Sequence, residues 1–157
     1  MHFTNERIVN APIEVVWAGL NDVEVLRDCI PGCEALNREA DDTFSGRLRL
    51  KIGPVSVRLS GEVHLSDVEV PHRLRLNGKG TGVMGIAKGG ADVVLTPEPD
   101  GMTRLGYDAN VDVGGKIAQL GSRLIGSTAN KLAAQFFDSF GATVEAETET
   151  VKVVNAR

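Results

Sequence analysis

Aromatic side chains are scarce in this sequence: one Trp, one Tyr and five Phe make up 4% of 157 residues. No stretch interleaves them with basic residues, which removes base stacking as a use. A basic excess is also missing. Lys and Arg number 17 against 21 Asp and Glu, and the formal net charge of −4 argues against nucleic acid as the main partner. No run approaches about 20 apolar residues, and the opening MHFTNERIVN lacks the apolar centre of a signal peptide, so a cytoplasmic location is expected. The histidines, His2, His64 and His72, are scattered, and no Ser-His-Asp set emerges. Cys29 and Cys33 flank Pro31-Gly32 at a spacing that matches no common zinc or redox pattern, so packed free thiols are expected and no metal. The stretch Gly78-Lys79-Gly80-Thr81-Gly82 resembles a phosphate loop only in composition, lacking the lysine-serine/threonine ending and the helix that should follow.

What is present fits one globular domain, with 42% hydrophobic and 24% charged residues. His2 to Asn10 reads as a strand. Pro12 to Leu20 reads as a helix with Pro12 at its first position, and Asp22 can cap a second short helix holding Val25 and Leu26. Then come long segments of strict period two. Phe44, Gly46, Leu48, Leu50 and Ile52 alternate with Ser45, Arg47, Arg49 and Lys51. Val55 to Leu65, Leu74 to Gly82, Ala87 to Thr96 and Thr103 to Val113 continue the pattern, a meander of about six strands with one wet face.

The longest apolar stripe at helical spacing runs through Ile117, Leu120, Leu124, Leu132, Phe136, Phe140 and Val144. It predicts a helix from about Gly115 to Glu145, with its face drifting after Gly126-Ser127. A curling meander needs a cover for its apolar face, and this helix is the only element long enough. The expected fold is therefore α+β, a helix-grip architecture in which a curved antiparallel sheet wraps a long C-terminal helix. Residues 1–145 form the single domain, and 146–157 are expected to be a polar, flexible tail.

Gly78, Gly80 and Gly82 fall on an inward row, where a strand should send bulk into the core. Two explanations stand together: a bend that lets the sheet wrap the helix, or a cavity filled by an apolar ligand. Gly121 interrupts the helical stripe, for close packing or for ligand room. The outward basic residues Arg47, Arg49, Lys51, Arg58, Arg73 and Arg75 read either as a solvated face or as a contact surface for an acidic protein or anionic lipid. Tyr107 is the only inward polar tip, a satisfied core tyrosine or a group with chemistry.

Several separated stretches carry a family resemblance. Ala11-Pro12 before Val16-Trp17 is loosely similar to the START/Bet v 1-like (SRPBCC) superfamily. Cys29-Ile30-Pro31-Gly32-Cys33-Glu34 is more specific. With it go Lys51-Ile52-Gly53-Pro54, Gly78-Lys79-Gly80-Thr81-Gly82, Ala87-Lys88-Gly89 and Val113-Gly114-Gly115-Lys116-Ile117-Ala118-Gln119-Leu120-Gly121. Together they resemble the family of the CoxG subunit of carbon monoxide dehydrogenase over nearly the whole chain. The resemblance implies a hydrophobic cavity and no catalytic motif. It also implies service to a molybdenum-containing hydroxylase, in attaching it to the membrane or carrying isoprenoid quinone as its electron acceptor. The chain ends without an apolar or strongly basic tail, so any membrane contact is expected to be peripheral, at the inner face.

Alternation and the helical stripe, not a family motif, give the expected lining. It comprises Leu26, Ile30, Leu48, Leu50, Leu59, Leu76, Gly78, Gly80, Tyr107, Ala109, Leu120, Gly121, Leu124 and Phe136. The reading is a non-catalytic binder of an apolar, isoprenoid quinone-like molecule, with no covalent cofactor. Two alternatives stand beside it: a cyclase- or hydrolase-type enzyme using the same cavity, and an assembly factor that binds the hydroxylase by its surface alone.

Overall fold

The structure is a computed structural model that describes residues 1–155, with side chains through Thr150. β1 (His2–Val9) leads into α1 (Ile13–Leu20) and α2 (Val23–Cys29). Pro12 caps α1 from an extended backbone, so the helix begins one residue later than the sequence suggests, and the Pro12 carbonyl accepts from the N–H groups of Val15 and Val16. The Asp22 carboxylate accepts from Glu24 and Val25 N–H at the start of α2, the cap expected of it. β2 (Cys33–Ala40), β3 (Thr43–Ile52), β4 (Val55–Glu69), β5 (Arg73–Gly82), β6 (Gly85–Glu98) and β7 (Met102–Gly114) follow. They form one antiparallel sheet in the order β1-β7-β6-β5-β4-β3-β2. α3 (Ser122–Asn155) lies across it. This is the α+β helix-grip fold. No helix among the described residues is long and apolar enough to cross a membrane.

Alternation in sequence becomes alternation in burial. On β3, Phe44 and Ile52 are buried, whereas Arg47, Arg49 and Lys51 are exposed. β2 does not alternate cleanly, and its register on β3 breaks at both ends. It is held at the sheet edge by side-chain ties instead. Arg27 donates to the carbonyl of Leu36 at 2.8 Å, and Arg38 donates to the carbonyls of Asn21 and Asp41 while lying over the Phe44 ring.

Small residues line up across the middle of the sheet. Gly46 faces Gly61, Gly61 faces Gly80, and Gly80 faces Ala87 across four neighbouring strands. A Cβ on Gly61 would lie 1.8 Å from the Lys79 carbonyl oxygen, so any side chain there would force β5 away. On the row of Gly78, Gly80 and Gly82, close backbone approach accounts for Gly82, whose Cβ would lie 2.0 Å from the Arg58 carbonyl oxygen.

Two apolar cores close the two ends of the curled sheet. One joins Val9, Ile13, Val16, Val25, Cys29, Leu95, Leu105, Phe140 and Val144. The other joins Ile52, Val57, Ile117 and Ile125, with Leu59, Leu120 and Leu124 packed against it. The drift of the stripe along the C-terminal segment reflects this division, because its first part fills one core and its last part the other.

The helix boundaries differ from the sequence expectation. Residues 115–121 are not helical in the α sense; they hold a single 3-10 turn, Ala118–Leu120, and Ile117 N–H donates to the Met84 carbonyl at 2.9 Å. Gly121 precedes α3 with φ 94° and ψ 145°, a conformation that interrupts helix and favours glycine. At the other end α3 continues past Glu145 to Asn155. Thr148 there is buried, with its hydroxyl donating back to the Val144 carbonyl. The expected tail from 146 thus begins inside the helix, and residues 156–157 lie outside the described residues.

Candidate ligand-binding cavity

Between the two cores the sheet and α3 are only partly in contact. They leave a cavity of about 480 Å³ to which all three α-helices and every strand except β1 contribute. The floor is the inward row of the sheet: Leu36 of β2, Phe44, Leu48 and Leu50 of β3, Val63 and Leu65 of β4, and Leu74 and Leu76 of β5. Ala91 and Val93 of β6 continue it to Leu105 and Tyr107 of β7. Leu132, Ala133, Phe136 and Phe137 of α3 form the roof, and Leu20, Leu26, Ile30 and Pro31 close one side.

The sequence expectation is met unevenly. Leu26, Ile30, Leu48, Leu50, Leu76, Tyr107 and Phe136 come together on the cavity wall. Leu59 and Gly80 line a smaller neighbouring pocket of about 260 Å³ that shares Ile30, Leu36, Phe44, Leu48 and Val63 with the cavity. Gly78 lacks a side chain beside Val63, which a Cβ would approach at 3.1 Å, and its backbone borders a groove on the outward face. Ala109 is not in the wall. Leu120 and Leu124 are in the second core instead, because the helix begins later than its stripe. Gly121 lies outside the cavity at the head of α3, with open space around its Cβ position.

The few aromatics are concentrated here. Tyr107 stacks on Phe137 at 5.3 Å between centroids, Phe137 meets Phe136 edge-on at 5.1 Å, and Phe136 stacks on Phe140 at 5.6 Å. This chain of rings runs from the sheet through the roof into the first core. Among the described residues, Tyr107 is the single ionisable one on the cavity wall. Its hydroxyl has no hydrogen-bond partner among the described residues and stays within reach of water.

Cys33 lines the smaller pocket, and its thiol donates to the Ala35 carbonyl at 3.4 Å. Burial pushes that thiol above its ordinary range, which keeps it protonated and a poor nucleophile. Cys29 is buried, and both thiols are free. Among the described residues no cluster of His, Cys, Asp or Glu is placed to hold a metal ion. The arrangement can take up an apolar molecule, with Tyr107 the one polar residue beside it among the described residues.

The fold recurs widely among solved structures. A conserved protein of Geobacillus kaustophilus is 27% identical, with 93% of this chain and 96% of that chain covered at a TM-score of 0.87. A Thermus thermophilus protein is 21% identical over 94% and 99% of the two chains, with a TM-score of 0.71. The Zhui aromatase/cyclase of Streptomyces sp. R1128 is 14% identical over 92% and 93%, with a TM-score of 0.68, a likeness of fold alone. No curated protein is similar enough to count as a match. The family model of the CoxG subunit of carbon monoxide dehydrogenase matches residues 6–145, which include α1, α2, all of the sheet from β2 to β7 and the cavity-facing part of α3. The chain belongs to the CoxG family.

Proposed function

We propose that this protein is a non-catalytic accessory protein that holds an isoprenoid quinone or a similar apolar molecule between sheet and helix. It serves a molybdenum-containing hydroxylase of the carbon monoxide dehydrogenase type, in recruitment to the membrane or in electron delivery. It works from the cytoplasm or peripherally at the inner membrane face. The observation that carries this reading is the apolar cavity of about 480 Å³, with Tyr107 the single polar side chain on its wall among the described residues. Each Å² of an isoprenoid tail taken out of water adds about 25 cal/mol, and the Tyr107 hydroxyl can donate to a quinone carbonyl.

The test is mass spectrometry of an organic extract of the purified protein, beside titrations with a quinone analogue and a matched hydrocarbon. We expect a stoichiometric apolar species in the extract. Tyr107→Phe should weaken the quinone analogue by about 0.5–1.5 kcal/mol and leave the hydrocarbon unchanged. An empty extract, together with no saturable binding of either probe, would end this reading. The enzyme alternative requires a second polar group beside Tyr107 for general acid–base work, and the wall supplies only leucine, isoleucine, valine, alanine, proline and phenylalanine there.

A further inference from the structure

Over most of the outward face of the sheet, each arginine has its own carboxylate. Arg73 meets Glu69 at 3.5 Å, Arg75 meets Asp92 at 3.7 Å, and Arg104 meets both Glu6 at 3.5 Å and Glu98 at 2.9 Å. On β3 and β4 this matching fails. Glu34 alone serves Arg47 at 3.3 Å and Arg58 at 3.6 Å. Arg49 has only the Ser56 hydroxyl, at 3.3 Å, and Lys51 has no ion-pair partner among the described residues. The strand register also sets Arg49 directly opposite Arg58. Like charges directly opposite each other destabilise a sheet. All these cations are exposed, and they stand on a chain whose net charge is −4. A local excess of positive charge, kept against both the sheet's stability and the overall balance, fits an anion supplied from outside.

We propose that the face built by Arg47, Arg49, Lys51 and Arg58 docks a carboxylate-rich surface of a partner protein. The proposal rests on the reading above that the partner is a hydroxylase of the carbon monoxide dehydrogenase type. Three features favour protein carboxylates. Planar guanidinium groups take carboxylates by paired hydrogen bonds, and arginine is enriched at protein interfaces. The patch has a single exposed apolar side chain at its border, Val83 at the β5–β6 turn beside Arg58, too little apolar surface to hold an acyl layer, and Val68 and Val70 are at the far end of β4. It also has no aromatic ring on which a base could stack. The location suits the role. Leu48 and Leu50, on the inward side of β3, line the cavity, so a partner seated here lies one sheet thickness from the ligand.

The experiment measures binding of the intact protein to the purified hydroxylase of the same organism, at salt from about 50 to about 300 mM. The variants are Arg49→Glu/Arg58→Glu, a milder Arg49→Gln/Lys51→Gln, and a control, Arg73→Glu/Arg75→Glu, on the matched part of the same face. Melting curves and a cavity-probe titration accompany each. We expect the wild type to bind more weakly as salt rises. The charge reversal should raise Kd at least about tenfold and the neutral pair by several-fold, with the control near wild type and probe binding unchanged in all. If the reversal misfolds, the neutral pair decides. Wild-type binding that neither patch variant weakens overturns the docking face while leaving the partner standing. A wild type that retains its apolar ligand but never binds the hydroxylase removes the partner and this face with it. Patch-dependent binding to phosphatidylglycerol vesicles or to DNA, in place of the hydroxylase, also overturns the proposal.

Discussion

Replacing Phe140 with alanine should cost about 3–5 kcal/mol of folding stability, the range for a fully buried phenylalanine. Phe140 is 0% exposed and stacks on Phe136. It also lies where α3 crosses α1. A Cβ built on Gly19 would come within 3.1 Å of the Phe140 ring and 2.8 Å of Val144, so the two helices already touch there with nothing to spare. Rigid neighbours on every side leave little room for collapse around the deletion. For a chain of this length each kcal/mol is worth about 2–4 °C in Tm, so a fall of about 6–20 °C is expected, readable by calorimetry or by a lower urea midpoint at unchanged slope. A loss below about 1 kcal/mol would mean that the first core is not a closed unit. Because the ring chain continues to Phe136 and Phe137, the same deletion should also loosen the cavity roof.

Most of the strands are legible in the sequence, and the exceptions have physical reasons. Strict alternation identifies β3 to β7 and their wet faces, and Asp22 marks a helix start by its own capping chemistry. β2 escapes notice because CEALNREA carries no period-two signal; its place is set by Arg27 and Arg38 reaching carbonyls far along the chain. The start of α3 is hidden for a different reason. Ile117, Leu120 and Leu124 have helical spacing, yet Gly121 at φ 94° ends one turn and starts another element. Apolar periodicity survives such a joint, so periodicity alone cannot show it.

The cavity wall is legible only in part. Phe44, Val63, Leu65 and Leu74 stand on inward rows like Leu48 and Leu76, and all of them line the cavity. Leu59 and Ile52 stand on the same rows but belong to the second core or its border. Which inward position faces filled space and which faces empty space depends on how far each end core extends. That is a property of packing between elements distant in sequence. The small residue Ala133 gives no signal, because an alanine in a helix is ordinary, and it becomes informative only through its place in the roof.

Ala133 supplies the second large expected effect. Ala133→Phe on α3 should place a ring into the cavity and lower affinity for an apolar probe by at least about tenfold, or 1.4 kcal/mol. Stability should be kept or raised, since filling a void recovers contacts that the wall lacks, whereas overpacking would cost about 1–3 kcal/mol. Gly121→Leu is the contrasting variant. Its Cβ would meet nothing within 4 Å, so crowding is absent, but its φ of 94° is a conformation that leucine rarely adopts. We expect it to lose stability by about 1–3 kcal/mol while the remaining folded protein binds the probe as before. The pair separates space from backbone strain. Measuring melting and probe titration on both variants gives a two-by-two outcome, in which one variant loses binding and the other loses stability. Unchanged probe affinity in Ala133→Phe would place the probe elsewhere and withdraw the cavity as its site. A Gly121→Leu protein that melts like wild type but no longer binds would return Gly121 to the ligand and contradict its position at the head of α3.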